Sequence, residues 1–196
     1  MSRPEPDHGR QPADSRPTVP RFKGWKTAFL WSKVGASMIL PQLLWRFVHH
    51  RDDPEFYRMQ ALDAIDWIEE GGVRIGPGTR VLDLGCGHGV FGGELLRRGC
   101  EVTFADEQNL LLPEFRSRPF IAVNLDRDPL DRLGRHDLVV CSNVLEHLAR
   151  PESFLSRAHG LVAPQGRFYL SWTNWLSPWG GHEFSPWHYL GPRLGP

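Results

Sequence analysis

From residue 80 onward the chain alternates short apolar runs with stretches of helical period. The runs 80–84, 101–105, 120–124, 137–141 and 167–172 predict five strands. Residues 90–98, closed by Gly99, and residues 151–159 predict helices between them, and 163–166 a turn into the fifth strand. Apolar strands separated by helices imply a mostly parallel, doubly wound α/β sheet with helices on both faces. Ahead of it, Asp53 and Pro54 suit an N-cap and a first helical residue. Phe56, Tyr57, Ala61, Ala64, Ile65 and Ile68 then recur at helical spacing until Gly71 and Gly72 stop the run.

The front of the chain reads differently. Residues 1–20 are rich in Pro, Arg, Asp and Ser and predict a disordered tail. Residues 21–50 form an apolar helical segment in which Phe22, Trp25, Phe29, Leu30, Val34, Met38, Leu43, Leu44, Trp45 and Phe47 alternate with Lys23, Lys26, Lys33 and Arg46. Lys33 and Pro41 interrupt any apolar span of the ~18 residues a transmembrane helix needs. Two readings stand for 22–48. The first is a pair of helices packed over the domain or over the substrate pocket. The second is an interfacial helix on a membrane, anchored by Trp and Lys. The first is preferred, because amphipathic runs usually face a core. Residues 51–196 then make the ligand-binding domain.

Composition narrows the function classes. The 196 residues hold 23 basic and 23 acidic side chains, so a strongly basic nucleic-acid footprint is absent. Cys86, Cys100 and Cys141 sit in or beside apolar strands without metal spacing. They read as reduced, small apolar residues of a cytoplasmic protein, with a reactive Cys86 as the lesser alternative. The first twenty residues lack the apolar stretch of a signal peptide.

Candidate chemistry concentrates at VLDLGCGHG, residues 81–89. A strand, a glycine turn and a helix N-terminus make a cradle for a nucleotide-like ligand. Residues 87–92 also satisfy GxGxxG, a weak dinucleotide signature. Two details argue against a dinucleotide. The turn begins at Gly85 rather than Gly87, and Asp83 places a carboxylate just before it, which suits a ligand with an ammonium group. Asp106 ends the second strand, where an acid can accept hydrogen bonds from ribose hydroxyls. Asp126, with Asn124 and Asp128 as competitors, follows the third strand and could meet an adenine amino group. Ser142 and Asn143 would share that edge of the sheet.

The stretches 81–106, 136–148 (HDLVVCSNVLEHL) and 161–171 (LVAPQGRFYLS) together resemble a class I S-adenosylmethionine-dependent methyltransferase of the type 11/23-like small-molecule group. The resemblance implies a Rossmann-like sheet of strand order 3-2-1-4-5. It implies that Asp83, Gly85, Cys86 and Gly87 hold the methionine part of S-adenosylmethionine, Asp106 the ribose and Asp126 the adenine, with Ser142 and Asn143 lining the pocket floor. Residues 171–191 resemble a narrower bacterial group carrying a Gly-Gly-His-Glu loop over the acceptor side. There Trp172, Trp175, Trp179 and Trp187 offer an apolar wall beside His188. His182, oriented by Glu183, is the candidate general base, against a purely structural His-Glu pair. His147 is a further candidate.

The family sheet ordinarily ends in a strand hairpin beside the fifth strand, and no such hairpin is legible before Pro196. The expectation is therefore a methyltransferase domain truncated at its C-terminus, acting on a small, apolar or lipid-like acceptor. The alternatives are a catalytically impaired fragment or partner subunit that keeps the pocket and, more weakly, an NAD(P)-binding oxidoreductase. The sequence leaves the oligomeric state open.

Overall fold

The computed structural model describes residues 39–51, 53–174, 177–178, 180, 185 and 187–190. The chain divides into two units, Met1–Ser37 and Met38–Pro196, and every described residue lies in the second. Strands β1 (Arg80–Leu84), β2 (Glu101–Asp106), β3 (Phe120–Ala122), β4 (His136–Ser142) and β5 (Val162–Ser171) form one all-parallel sheet in the order β3-β2-β1-β4-β5. The helices are α1 (Ile39–His50), α2 (Pro54–Glu70), α3 (Val90–Arg97) and α4 (Pro151–Ala158).

The central strand explains the layering. In β1 every residue from Val81 to Leu84 is buried, so both faces need a cover. Val81 joins Ile65, Leu95, Phe104, Leu138 and Val140 in the core on the α2 and α3 side. Leu82 and Leu84 join Val139, Cys141, Phe154 and Leu161 in the core on the α4 side.

Helix α2 starts as its sequence requires. The Asp53 side chain accepts from the Phe56 N–H at 2.9 Å, and Pro54 opens the first turn. Asp53 also receives Arg46 Nε at 3.0 Å, and this hydrogen bond pulls its carboxyl down to a pKa of about 2. Arg46 belongs to α1, which packs its Leu43 and Phe47 against Phe56 of α2. A second clasp ties α2 to α3. Glu94, only 4% exposed, accepts from Arg58 Nε at 2.7 Å and from Arg97 Nη1 at 2.6 Å.

Two strand boundaries depart from the sequence pattern. β3 ends at Ala122 rather than at 124. Asn124 Oδ1 accepts from the N–H groups of Asp126 and Arg127, and that side-chain turn bends the chain out of the sheet. β5 is longer than expected, because the turn read at 163–166 is an irregularity inside the strand. His136 pairs with Val162 and Leu138 with Arg167, so the extra residues bulge between two paired positions. Gly166 sits where an added Cβ would lie 2.8 Å from the His136 carbonyl oxygen, which is why this bulge takes glycine. Among the described residues, no helix is long and apolar enough to cross a membrane.

Candidate functional site

The turn at residues 85–89 joins β1 to α3 at the carboxyl edge of the sheet. Gly85, Gly87 and Gly89 all have positive φ, at 71°, 50° and 77°. The turn is stitched to β2. Gly85 and Cys86 both donate their N–H to the Ala105 carbonyl, at 2.8 and 3.2 Å. Gly87 donates to Asp106 Oδ2 at 2.8 Å.

The glycines serve different purposes. A Cβ at Gly85 would stand 2.4 Å from Val144 Cγ2, and one at Gly89 would stand 2.6 Å from Leu111 Cδ2. One at Gly92, in the first turn of α3, would stand 2.4 Å from Phe104. These three let protein atoms approach the backbone. Gly87 is the exception: a Cβ there meets nothing within 4 Å. Gly87 therefore faces the open side of the turn, where a ligand can approach bare backbone.

Two carboxylates frame that opening. Asp83 is 3% exposed and accepts the Gly92 N–H at 2.9 Å. Burial pushes its pKa up to about 7, against the pull of that hydrogen bond and with a further push from the Asp106 charge. A cation placed beside it would draw it back to the ionised form. Asp106 accepts from Gly87 through Oδ2 and from the Glu107 N–H through Oδ1, at 2.6 Å. A carboxylate oxygen has room for more than one donor, so Asp106 can brace the turn and still receive a ligand hydroxyl. This pair of acceptors fits a ligand that carries both an ammonium group and a diol. The surroundings of Cys86 disfavour its thiolate. Burial, then the neighbouring Asp83 and Asp106 charges, push its thiol well above its ordinary pKa.

On the other side of β1, a polar network closes the edge. Ser142 Oγ lies 2.9 Å from Ser171 Oγ, tying the ends of β4 and β5. Asn143 follows in a left-handed conformation, φ 54°. Its Nδ2 donates to Gln60 of α2 at 3.2 Å, and its Oδ1 accepts from Thr173 Oγ1 at 3.2 Å. The Thr173 N–H donates to Glu146 Oε1 at 2.9 Å. Glu146 Oε2 is buried and has no hydrogen-bond partner among the described residues. Gln60 and Thr173 were not among the sequence candidates, and Glu146 entered only as the neighbour of His147. Gln60 left a signal: it interrupts the i,i+4 row Phe56–Gln60–Ala64, whose other members are buried.

Other candidates fall differently. Asp126 is a brace. Its oxygens accept from the N–H groups of Ala149 and Arg150, at 3.1 and 3.0 Å, and these bonds hold its carboxyl below the usual range. It fixes the loop after β4 instead of standing free at the edge. Its competitors are also engaged: Asn124 Nδ2 donates to Glu107, and Asp128 accepts the Asn124 N–H. His147 is exposed. His188 is fully buried, with Nε2 3.1 Å from the Ser177 carbonyl, so it does not present a base to an open pocket. Trp172 and Trp187 are exposed. Trp175, Trp179, His182 and Glu183 lie outside the described residues.

A family model described as a methyltransferase domain matches residues 47–195. An uncharacterized methyltransferase of Mycolicibacterium gilvum is 32% identical over 160 residues, which cover 76% of this chain and 63% of that protein. A ubiquinone biosynthesis O-methyltransferase of Azotobacter vinelandii is 34% identical over 118 residues, 56% of this chain and 50% of that protein. The chain thus spans between half and two thirds of the length of these curated relatives. Among solved structures, a TehB-like SAM-dependent methyltransferase from Corynebacterium glutamicum matches 66% of this chain and 68% of its own, with 22% identity and a TM-score of 0.47.

Proposed function

The chain belongs to the class I S-adenosylmethionine-dependent methyltransferases, and on that premise we propose that it binds S-adenosylmethionine at residues 83–106 and methylates a small-molecule acceptor. The observation that carries this reading is the opening over Gly87 between two carboxylates of different character. S-adenosylmethionine supplies a methyl group already activated by its sulfonium.

The work left to the chain is to hold, align and exclude water. Asp83 receives the ammonium group, with the backbone of Gly85, Cys86 and Gly87 beside it. Asp106 accepts from the ribose hydroxyls. Ser142 and Asn143 form the floor, and Asn143 fixes that floor to α2 through Gln60. His182, oriented by Glu183, takes the proton of a hydroxyl or amine acceptor. Similarity to ubiquinone biosynthesis O-methyltransferases supports a small-molecule acceptor. The free cysteines Cys86, Cys100 and Cys141 suit a cytoplasmic setting.

Titration calorimetry with S-adenosylhomocysteine tests the reading. Wild type should bind, and Asp106→Ala should bind at least about tenfold more weakly, since it loses charge-assisted hydrogen bonds. No binding by folded wild type would overturn the proposal. Binding with no turnover on any acceptor would favour a chain that keeps the pocket and transfers nothing.

A further inference from the structure

We propose that the outer face of α1 is a docking surface for an anionic lipid bilayer. This goes beyond the methyl-transfer reading and does not depend on it.

Helix α1 is apolar on two sides. Its inner side, Leu43 and Phe47, is buried against Phe56 of α2. Its outer side keeps Leu40 at 49%, Trp45 at 57% and Val48 at 71% exposure. Leu40, Leu44 and Val48 follow one another at i,i+4, with Trp45 alongside, so these residues form one stripe along the helix. A stripe of large apolar residues left in water marks a contact surface. The Trp45 ring stacks on His49 at 4.5 Å, within the helix itself.

Charge selects the occupant. From Ser15 to Arg51 the sequence contains no Asp or Glu, yet it holds seven of the chain's 23 Lys and Arg, plus His49 and His50. The remaining residues therefore carry 16 basic against 23 acidic side chains. Along the sequence of this chain of zero net charge, basic residues are thus concentrated in the stretch that runs into and through α1. An anionic lipid surface attracts such a basic stretch, which is joined directly to the apolar stripe of α1. A twelve-residue helix of about 18 Å cannot span a bilayer. It can lie in the headgroup plane with Trp45 and Val48 directed into the boundary. A nucleic acid would match the charge but not the apolar stripe, and a second copy would match the stripe but bring the same positive charge.

Vesicle flotation of the full chain decides the matter. Wild type should float with phosphatidylcholine vesicles containing phosphatidylglycerol, and far less with phosphatidylcholine alone or in high salt. Trp45→Ala combined with Val48→Asp should lower partitioning about tenfold or more, while circular dichroism and S-adenosylhomocysteine affinity stay as in wild type. Val48→Asp alone, at the most exposed of these positions, gives the same direction should the double variant fold poorly. The proposal is overturned if wild type does not float, if neutral vesicles bind equally well, or if folded variants float like wild type. It is equally overturned if light scattering shows a dimer that the variants abolish without any vesicle binding.

Discussion

The two halves of the sheet's carboxyl edge are built on different principles. On the β1–β2 side, position is set by steric necessity. Gly85, Gly89 and Gly92 are each pressed by a neighbouring side chain, and the turn is bonded twice to one carbonyl of β2. On the β4–β5 side, position is set by side-chain hydrogen bonds running Gln60–Asn143–Thr173–Glu146, and one buried oxygen is left without a partner. Steric fit leaves no alternative arrangement, whereas a chain of polar contacts can be rewired one residue at a time. The fixed half is the one proposed above to hold the cofactor, and Ser142 and Asn143 of the adjustable half would form its floor.

Substitutions can break or sharpen this contrast. The largest effect belongs to Gly85→Ala. The added Cβ would meet Val144 at 2.4 Å in a left-handed backbone, so equilibrium unfolding should show a loss of roughly 4 kcal/mol. Next comes the pH dependence carried by Asp83. Its folded pKa of about 7 stands above the ordinary carboxyl value of 3.8, so between those values the folded chain holds a proton that the unfolded chain has released. Its contribution to stability is fully present below the unfolded value and lost as pH rises through about 7, by about 4 kcal/mol over the whole window and about 3 kcal/mol between pH 4.5 and 7.5. Asp83→Asn should remove that slope, as denaturation at pH 4.5 and 7.5 would reveal, and weaken S-adenosylhomocysteine at the same time.

On the adjustable side, Asn143→Ala should cost about 2 kcal/mol, through two lost hydrogen bonds and a left-handed alanine. If it costs as much as Gly85→Ala, the two halves are equally rigid and the contrast fails. The smallest stability effect should be Gly87→Ala, about 1 kcal/mol, since its Cβ meets only open space. Calorimetry should nevertheless show a marked loss of S-adenosylhomocysteine affinity, because that space is where the ligand would lie.

The fixed half was also the more legible in sequence. The strands β1 and β2, the turn at 85–89 and the Asp53 cap follow from apolar runs, glycines and a capping pair, all of which act over a few residues, whereas the strand order came only with the family resemblance. The β5 boundary was misread because Pro164 and Gly166 are turn residues locally, and only pairing with β4 turns them into a bulge. Asp126 was assigned from its place after a strand. Its actual partners, Ala149 and Arg150, lie more than twenty residues away, beyond any local pattern. Gln60 and Thr173 escaped for the same reason: their role exists only once α2 and β5 are brought to Asn143.

The clasp at Glu94 constrains how such a chain can change over generations. Losing Arg58 or Arg97 first leaves a buried carboxylate with one counter-charge fewer, a step that is strongly unfavourable. Losing Glu94 first, to an apolar residue of similar volume, leaves two arginines that are already about half exposed and readily hydrated. The route away from this ion triad therefore runs in one direction: the acid must go before either base is free to drift.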